Sequence, residues 1–218
     1  MKEWSLSPAP PPWSRSTDLS QLDWDSLPAL TPFILADGSR IANQQTSVRL
    51  CYTLQIFYMR FDCQDHDIWG NYTRRDDPIY NEEAVEVFIA PGEKDPLDYY
   101  EFEVSPNGVL FDALIHNPDG QNNALMSGDL SWDCPGIEWR TGRNDTLHHW
   151  WVSLAIPWHS LTATGELPKS WRANFYRIER PHDGEAEFSC WSPVMTRVAD
   201  FHRPAYFGFL HFANDDVG

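Results

Sequence analysis

The stretch from Arg74 to Ile115 constrains this chain most. It reads RRDDPIYNEEAVEVFIAPGEKDPLDYYEFEVSPNGVLFDALI and holds three strand-like runs, Ala84–Ala90, Tyr99–Val104 and Val109–Ile115. In the first, Val85, Val87 and Ile89 alternate with Ala84, Glu86 and Phe88. In the second, Tyr100, Phe102 and Val104 alternate with Tyr99, Glu101 and Glu103. Neighbouring side chains on a strand point to opposite faces, so this period of two predicts half-buried antiparallel strands. Ser105-Pro106-Asn107-Gly108 joins the last two as a turn. Glu86, Glu101 and Glu103 are the odd feature: carboxylates spaced to share sheet faces with aromatic rings.

The rest of the chain follows the same grammar. SVRLCYTLQIFYMRFDC predicts strands at Ser47–Tyr52 and Gln55–Cys63, with Phe57, Met59 and Phe61 on one face of the latter. HHWWVSLAI predicts a strand over His148–Ile156 that Pro157 ends, and Trp158–Leu161 fits one helical turn. WRANFYRIE puts Trp171, Ala173, Phe175 and Arg177 on one face and Arg172, Asn174, Tyr176 and Ile178 on the other. Gly136–Arg140, Glu187–Trp191 and Tyr206–Phe212 complete the set, and Asn117–Asp133 is rich enough in Asn, Asp and Gly to be a long surface loop. With about eight to eleven short strands and little helix, the expected fold is all-β, an antiparallel β-sandwich of immunoglobulin-like or jelly-roll character. Residues 1–30, with PAPPP and scattered Trp, are expected to be an extended arm packed on a single domain spanning 31–218.

Composition narrows the function. A net charge of −16 argues against nucleic acid and anionic membrane surfaces, both of which call for a basic footprint. Eleven Trp are more than a core of this size requires, a hint of stacking surfaces, though most Trp in any protein is core. The four Cys form no CxxC pair, so a zinc knuckle is not expected, and disulfides and free thiols remain equally open. The N-terminus lacks an apolar leader core, which makes a cytoplasmic location the default expectation. No catalytic serine, zincin or phosphate-loop motif occurs, so no enzyme activity is expected.

Taken together, FYMRFDCQDHDIW, RRDDPIYNEEAVEVFIAPG, YYEFEVSPNG, LAIPW, WRANFYRIERP, FSCWSP and FHRPAYFGFLHF resemble the carbohydrate-binding module family 9-like domain, a DOMON-like β-sandwich. The resemblance runs from about Asp37 to Phe212. It implies noncatalytic binding of a saccharide or polyol, calcium in some members, and a usually extracellular setting. It also implies a terminal sugar clamped between two Trp rings, for which Trp69 and Trp191 are the candidates.

A sugar offers apolar CH faces and a rim of hydroxyls, which aromatic rings and charged hydrogen-bonding groups match. Arg75, Asp77, Tyr80, Glu86, Asn174 and Arg177 are the candidate hydrogen-bonding groups, although Glu86 and Arg177 could instead form an ion pair within the sandwich. Calcium takes six to eight oxygen ligands, and Asp62, Asp65 and Asp67 could supply some, as could Asp76, Asp77 and Glu82. No cofactor is otherwise expected, and no partner protein is indicated. The competing readings are a structural or protein-interaction sandwich without a sugar site, a glycoside hydrolase using Glu86 and Glu101, and a haem-binding cytochrome domain using Met59 and a His.

Overall fold

The computed structural model describes residues 2–10, 13, 18–120, 124–162 and 168–212. The strands are β1 (Glu3–Pro8), β2 (Ala29–Leu30), β3 (Ile34–Leu35), β4 (Thr46–Tyr52), β5 (Ile56–Gln64), β6 (Ala84–Pro91), β7 (Asp98–Val104), β8 (Leu110–His116), β9 (Ser127–Asp129), β10 (Glu138–Asn144), β11 (His149–Pro157), β12 (Ser170–Glu179), β13 (Glu187–Cys190) and β14 (Gly208–Phe212). Short 3-10 turns are the only helical elements among the described residues.

One sheet has the order β10-β11-β5-β4, with β2 beside β4. The other runs β14-β12-β6-β7-β8-β9, and β13 and β3 extend it along the far half of β12. β1 belongs to both. Glu3–Leu6 run parallel to β14, and then Ser7 and Pro8 run parallel to β4. The expectation of purely antiparallel pairing therefore fails at β1. The segment read as an arm supplies a strand that joins the two sheets, and Pro8 stands at its end, where a missing N–H costs least. The expected loop 117–133 also contains β9.

Between the sheets lie Phe57, Met59 and Phe61 of β5, Trp150, Val152 and Leu154 of β11, Val85, Val87 and Ile89 of β6, and Trp171, Ala173 and Phe175 of β12. Both outer faces are also partly covered. Leu19, Leu22, Trp24 and Leu27 pack over Cys51, Ile56 and Tyr58 of the first sheet. Residues 191–207 lie over the second, where Val194, Phe201 and Phe207 meet Phe88, Tyr99 and Tyr176. β12 is consequently buried on both faces along its whole length.

The polar side chains of β12 serve this covering. On its outer face, Arg172 donates to the Phe207 carbonyl (2.7 Å), the Asn174 amide to the Ser192 carbonyl (2.7 Å) and the Tyr176 hydroxyl to the Phe201 carbonyl (3.1 Å). They fasten the 191–207 segment to the sheet. On the inner face Arg177 is fully buried, 2.6 Å from Asp65, 3.6 Å from Glu83 and 4.5 Å above the Trp150 ring. The ion pair expected with Glu86 does not form. Arg177 is in register with Val85, so Glu86, one residue on, faces the other way.

Removing one partner of a buried ion pair strands the other charge, at roughly 3–5 kcal/mol. Arg177→Ala should lose stability in that range in urea unfolding. A loss below about 1 kcal/mol would show that the pair at the end of the sandwich is not needed.

Candidate functional site

A cavity of about 420 Å³ opens on the outer face of the second sheet. Its floor carries Glu86 from β6, Glu101 and Glu103 from β7, and Phe111 and Ile115 from β8. Tyr80, on the 3-10 turn Ile79–Asn81, stands at one wall with its ring edge-on to Phe111 at 5.7 Å. Phe201 and His202 from the fastened segment form another wall, and Phe188 and Arg180 close a third side. Hydrophobic rings around a few converging polar groups are what a small-molecule site requires.

Strand register builds the polar centre. Glu86 pairs directly with Glu103 across β6 and β7, and Glu101 lies two residues from Glu103 on the same face. Oxygens of all three lie within 4.8 Å of one another. Like charges directly opposite on a sheet repel, and burial deepens the penalty. Burial raises all three carboxyls above the usual carboxylate range. Glu101 adds to the effect on Glu86, and both other carboxyls add to it on Glu103, while His202 partly offsets it at Glu101. The Tyr80 hydroxyl is raised by burial and then by Glu103 and Glu101.

The wall residue His202 is held firmly. Its ring stacks on Phe88 at 4.9 Å, and its carbonyl accepts from the Asn117 amide at 3.1 Å. Nδ1 lies 2.8 Å from the Tyr99 hydroxyl. With Tyr99 donating, Nε2 carries the proton and faces Glu101 at 4.0 Å.

Of the eight candidate sugar contacts, the structure brings Tyr80 and Glu86 to this cavity. The tryptophan clamp does not form. Trp191 is in the core, packed so closely on Gly208 that a Cβ there would collide with its ring. Trp69 is half-buried; its indole N–H donates to the Arg180 carbonyl at 2.6 Å, and its ring lies 4.7 Å from His182. All eleven Trp are buried or half-buried, so none was left over for an open stacking surface. Arg75 grips Asp112 and Asp133, at 2.7 and 2.8 Å. Asp77 accepts from the backbone of Thr73 and Arg74. Asn174 and Arg177 are spent on the contacts described above. Glu101, Glu103 and His202 line the same cavity and were not among the candidate contacts; the two carboxylates at alternating positions beside aromatics were the available signal.

The expected calcium ligands do not gather. Asp62 faces outward between Arg49 (2.9 Å) and Arg60 (3.0 Å), Asp65 lies inside under Arg177, and Asp67 accepts from the His182 backbone at 2.6 Å. They offer no converging oxygen set, so they do not fit the ion. The alternative trio fails as well, because Glu82 is taken by Asn71 and the backbone of Tyr72. Met59 is sealed in the core. His148, expected on a strand beside His149, instead turns through a left-handed conformation at φ 52°.

A larger groove of about 700 Å³ crosses the outer face of the first sheet. Its Asp62 is already shared by Arg49 and Arg60. The carboxylate cavity is the better candidate because its charges have no such partners.

The sequence model of carbohydrate-binding family 9 matches residues 41–212. The chain belongs to carbohydrate-binding family 9. A protein of Arthroderma benhamiae named "Extracellular protein" is 32% identical over 177 residues, covering 77% of this chain and 78% of that one. That name gives no support to the cytoplasmic default. Two solved structures of a family 9 module from Caldicellulosiruptor kristjanssonii, one with glucose and one with cellotriose, align over 100% of this chain and 98% and 97% of theirs. Their TM-scores are 0.62 and 0.64, at 13% and 14% identity. A protein from Bacteroides uniformis, described as a candidate carbohydrate-binding protein, aligns with a TM-score of 0.76 at 18% identity, over 97% of this chain and 99% of its own. These likenesses show that the family 9 fold is shared.

A carboxyl whose folded pKa is raised adds stability that is lost as pH rises through that pKa. The thermal midpoint should therefore fall as the pH rises above the ordinary glutamate pKa of about 4.3. Glu103→Gln should flatten that fall and raise the midpoint at the alkaline end by about 2–4 °C per kcal/mol relieved. Parallel curves for variant and parent would mean that the three carboxyls are not coupled.

Proposed function

We propose that this family 9 chain is a noncatalytic saccharide-binding domain, and that the ligand sits over Glu86, Glu101 and Glu103. The observation that carries the reading is the meeting of three buried carboxyls at the floor of an open cavity with ring walls. Sugar hydroxyls would donate to the carboxyl oxygens, and CH faces would lie against Tyr80, Phe111 and Phe201. Family membership, and the glucose and cellotriose held by the Caldicellulosiruptor module, support the class of ligand.

The same carboxyls argue against hydrolysis. A glycosidase sets two carboxyls on either side of the bond and pushes their pKa values apart. Here all three share one point and all shift upward. Action outside the cell is part of the proposal, supported by the name of the Arthroderma relative.

Titration calorimetry against glucose, glucosamine, cellobiose and cellotriose tests the reading. At least one of these should bind, and Tyr80→Ala and Glu86→Gln should each weaken it by about tenfold or more, the scale of losing one good contact in a desolvated site. No heat from any of the four, or unchanged affinity in both variants, would overturn it.

A further inference from the structure

Among the described residues three clusters of carboxylates bring their oxygens together, and two of them carry their own cation. Arg177 sits among Asp65, Glu83 and Glu179, and Arg75 among Asp76, Asp112 and Asp133. The third, Glu86 with Glu101 and Glu103, forms no ion pair with an arginine or lysine among the described residues. The titratable groups that face it can be named element by element. The Tyr80 hydroxyl comes from the 3-10 turn, and Arg180 lines the cavity past the end of β12. Asp200 and His202 come from the fastened segment, and β8 presents only Phe111 and Ile115. The Arg180 guanidinium lies over the Phe188 ring at 4.9 Å, and Asp200 is paired with Arg203 at 3.0 Å. His202 approaches Glu101 alone, at 4.0 Å.

A second observation points into the same space. Oε2 of Glu103 is buried without a hydrogen-bond partner, on a residue only 1% exposed. A buried acceptor with no donor is costly, and it lies at the floor of a cavity with room for a ligand.

Resting on the saccharide reading above, we propose that the sugar this cavity selects carries a protonated primary amine, seated among Glu86, Glu101 and Glu103 as their countercharge. An ammonium has three N–H donors and no acceptor, which matches three carboxyls clustered within 4.8 Å. Phe111 and Tyr80 line the same cavity, and aromatic rings attract a desolvated cation. A hydroxyl could serve one carboxyl oxygen but brings no charge that would favour the ionised carboxylates.

The proposal carries a proton signature. Burial and crowding keep protons on the empty site. A bound ammonium favours the ionised carboxylates and expels those protons, whereas a neutral sugar has no such effect.

The test is calorimetry on the full chain with glucosamine, N-acetylglucosamine and glucose, in two buffers of different ionisation enthalpy at about pH 6.5, where a sugar amine titrating like an α-amino group is still charged. Glucosamine should bind about tenfold or more tighter than the two uncharged sugars, with a buffer-dependent enthalpy that reports proton release. Its affinity should drop in Glu103→Gln. The acetylated sugar needs no variant, so the comparison stands even if Glu103→Gln misfolds. Glucose binding as tightly as glucosamine would overturn this inference and leave the saccharide reading standing. No binding by any of these sugars, nor by cellobiose or cellotriose, would remove both. Calcium chloride alone binding in a Glu103-dependent way, with no preference for the amine, would overturn it in favour of a metal site.

Discussion

The second sheet is covered on both faces along β12 and most of β6 and β7, and most of what this protein can do follows from that. A strand with one wet face can leave its polar residues in water. β6, β7 and β12 have little such freedom, because one face fills the sandwich and residues 191–207 cover much of the other. Each polar side chain on the covered face must then find a partner or carry a cost. Arg172, Asn174 and Tyr176 find theirs in the backbone of the covering segment, and so they fix its path. Glu86, Glu101 and Glu103 find chiefly one another.

That arrangement opposes folding. Glu86 stands directly across from Glu103, a pairing that costs stability on any sheet and more on a dry one. Where local rules are broken without an evident structural gain, a functional site is the reasonable explanation. The fold shows elsewhere how it handles buried acids when only structure is at stake. It places an arginine among them, Arg177 at one end of the interior and Arg75 beside β8.

The tryptophans teach the complementary lesson. Their number suggested rings to spare, yet the fold uses them all. Trp150 takes the Arg177 guanidinium on its face and donates to Asp65, Trp158 stacks on Phe57, and Trp191 fills the space left beside Gly208. An indole that is both core filler and hydrogen-bond donor is not free to hold a sugar. The rings lining the cavity are instead Tyr80, Phe111, Phe188 and Phe201, and of these the sequence had offered only Tyr80 as a sugar contact.

Alternation along the chain was enough to establish an all-β fold, the hairpin at Ser105–Gly108, and the sorting of β5, β6, β7 and β12 into two faces each, because a period of two is a local property of extended backbone. It also showed that Arg172, Asn174 and Tyr176 share a face, and that Glu101 and Glu103 do. Only the tertiary structure decided which residues meet. Register set Glu86 against Glu103 and turned it away from Arg177, whose partner Asp65 lies 112 positions back in the chain. The crossing of β1 between the sheets, the burial of Trp191 and the course of residues 191–207 over the carboxyls were decided there too. Each depends on contacts between distant segments, and a strand's own pattern fixes its faces while leaving its neighbours open.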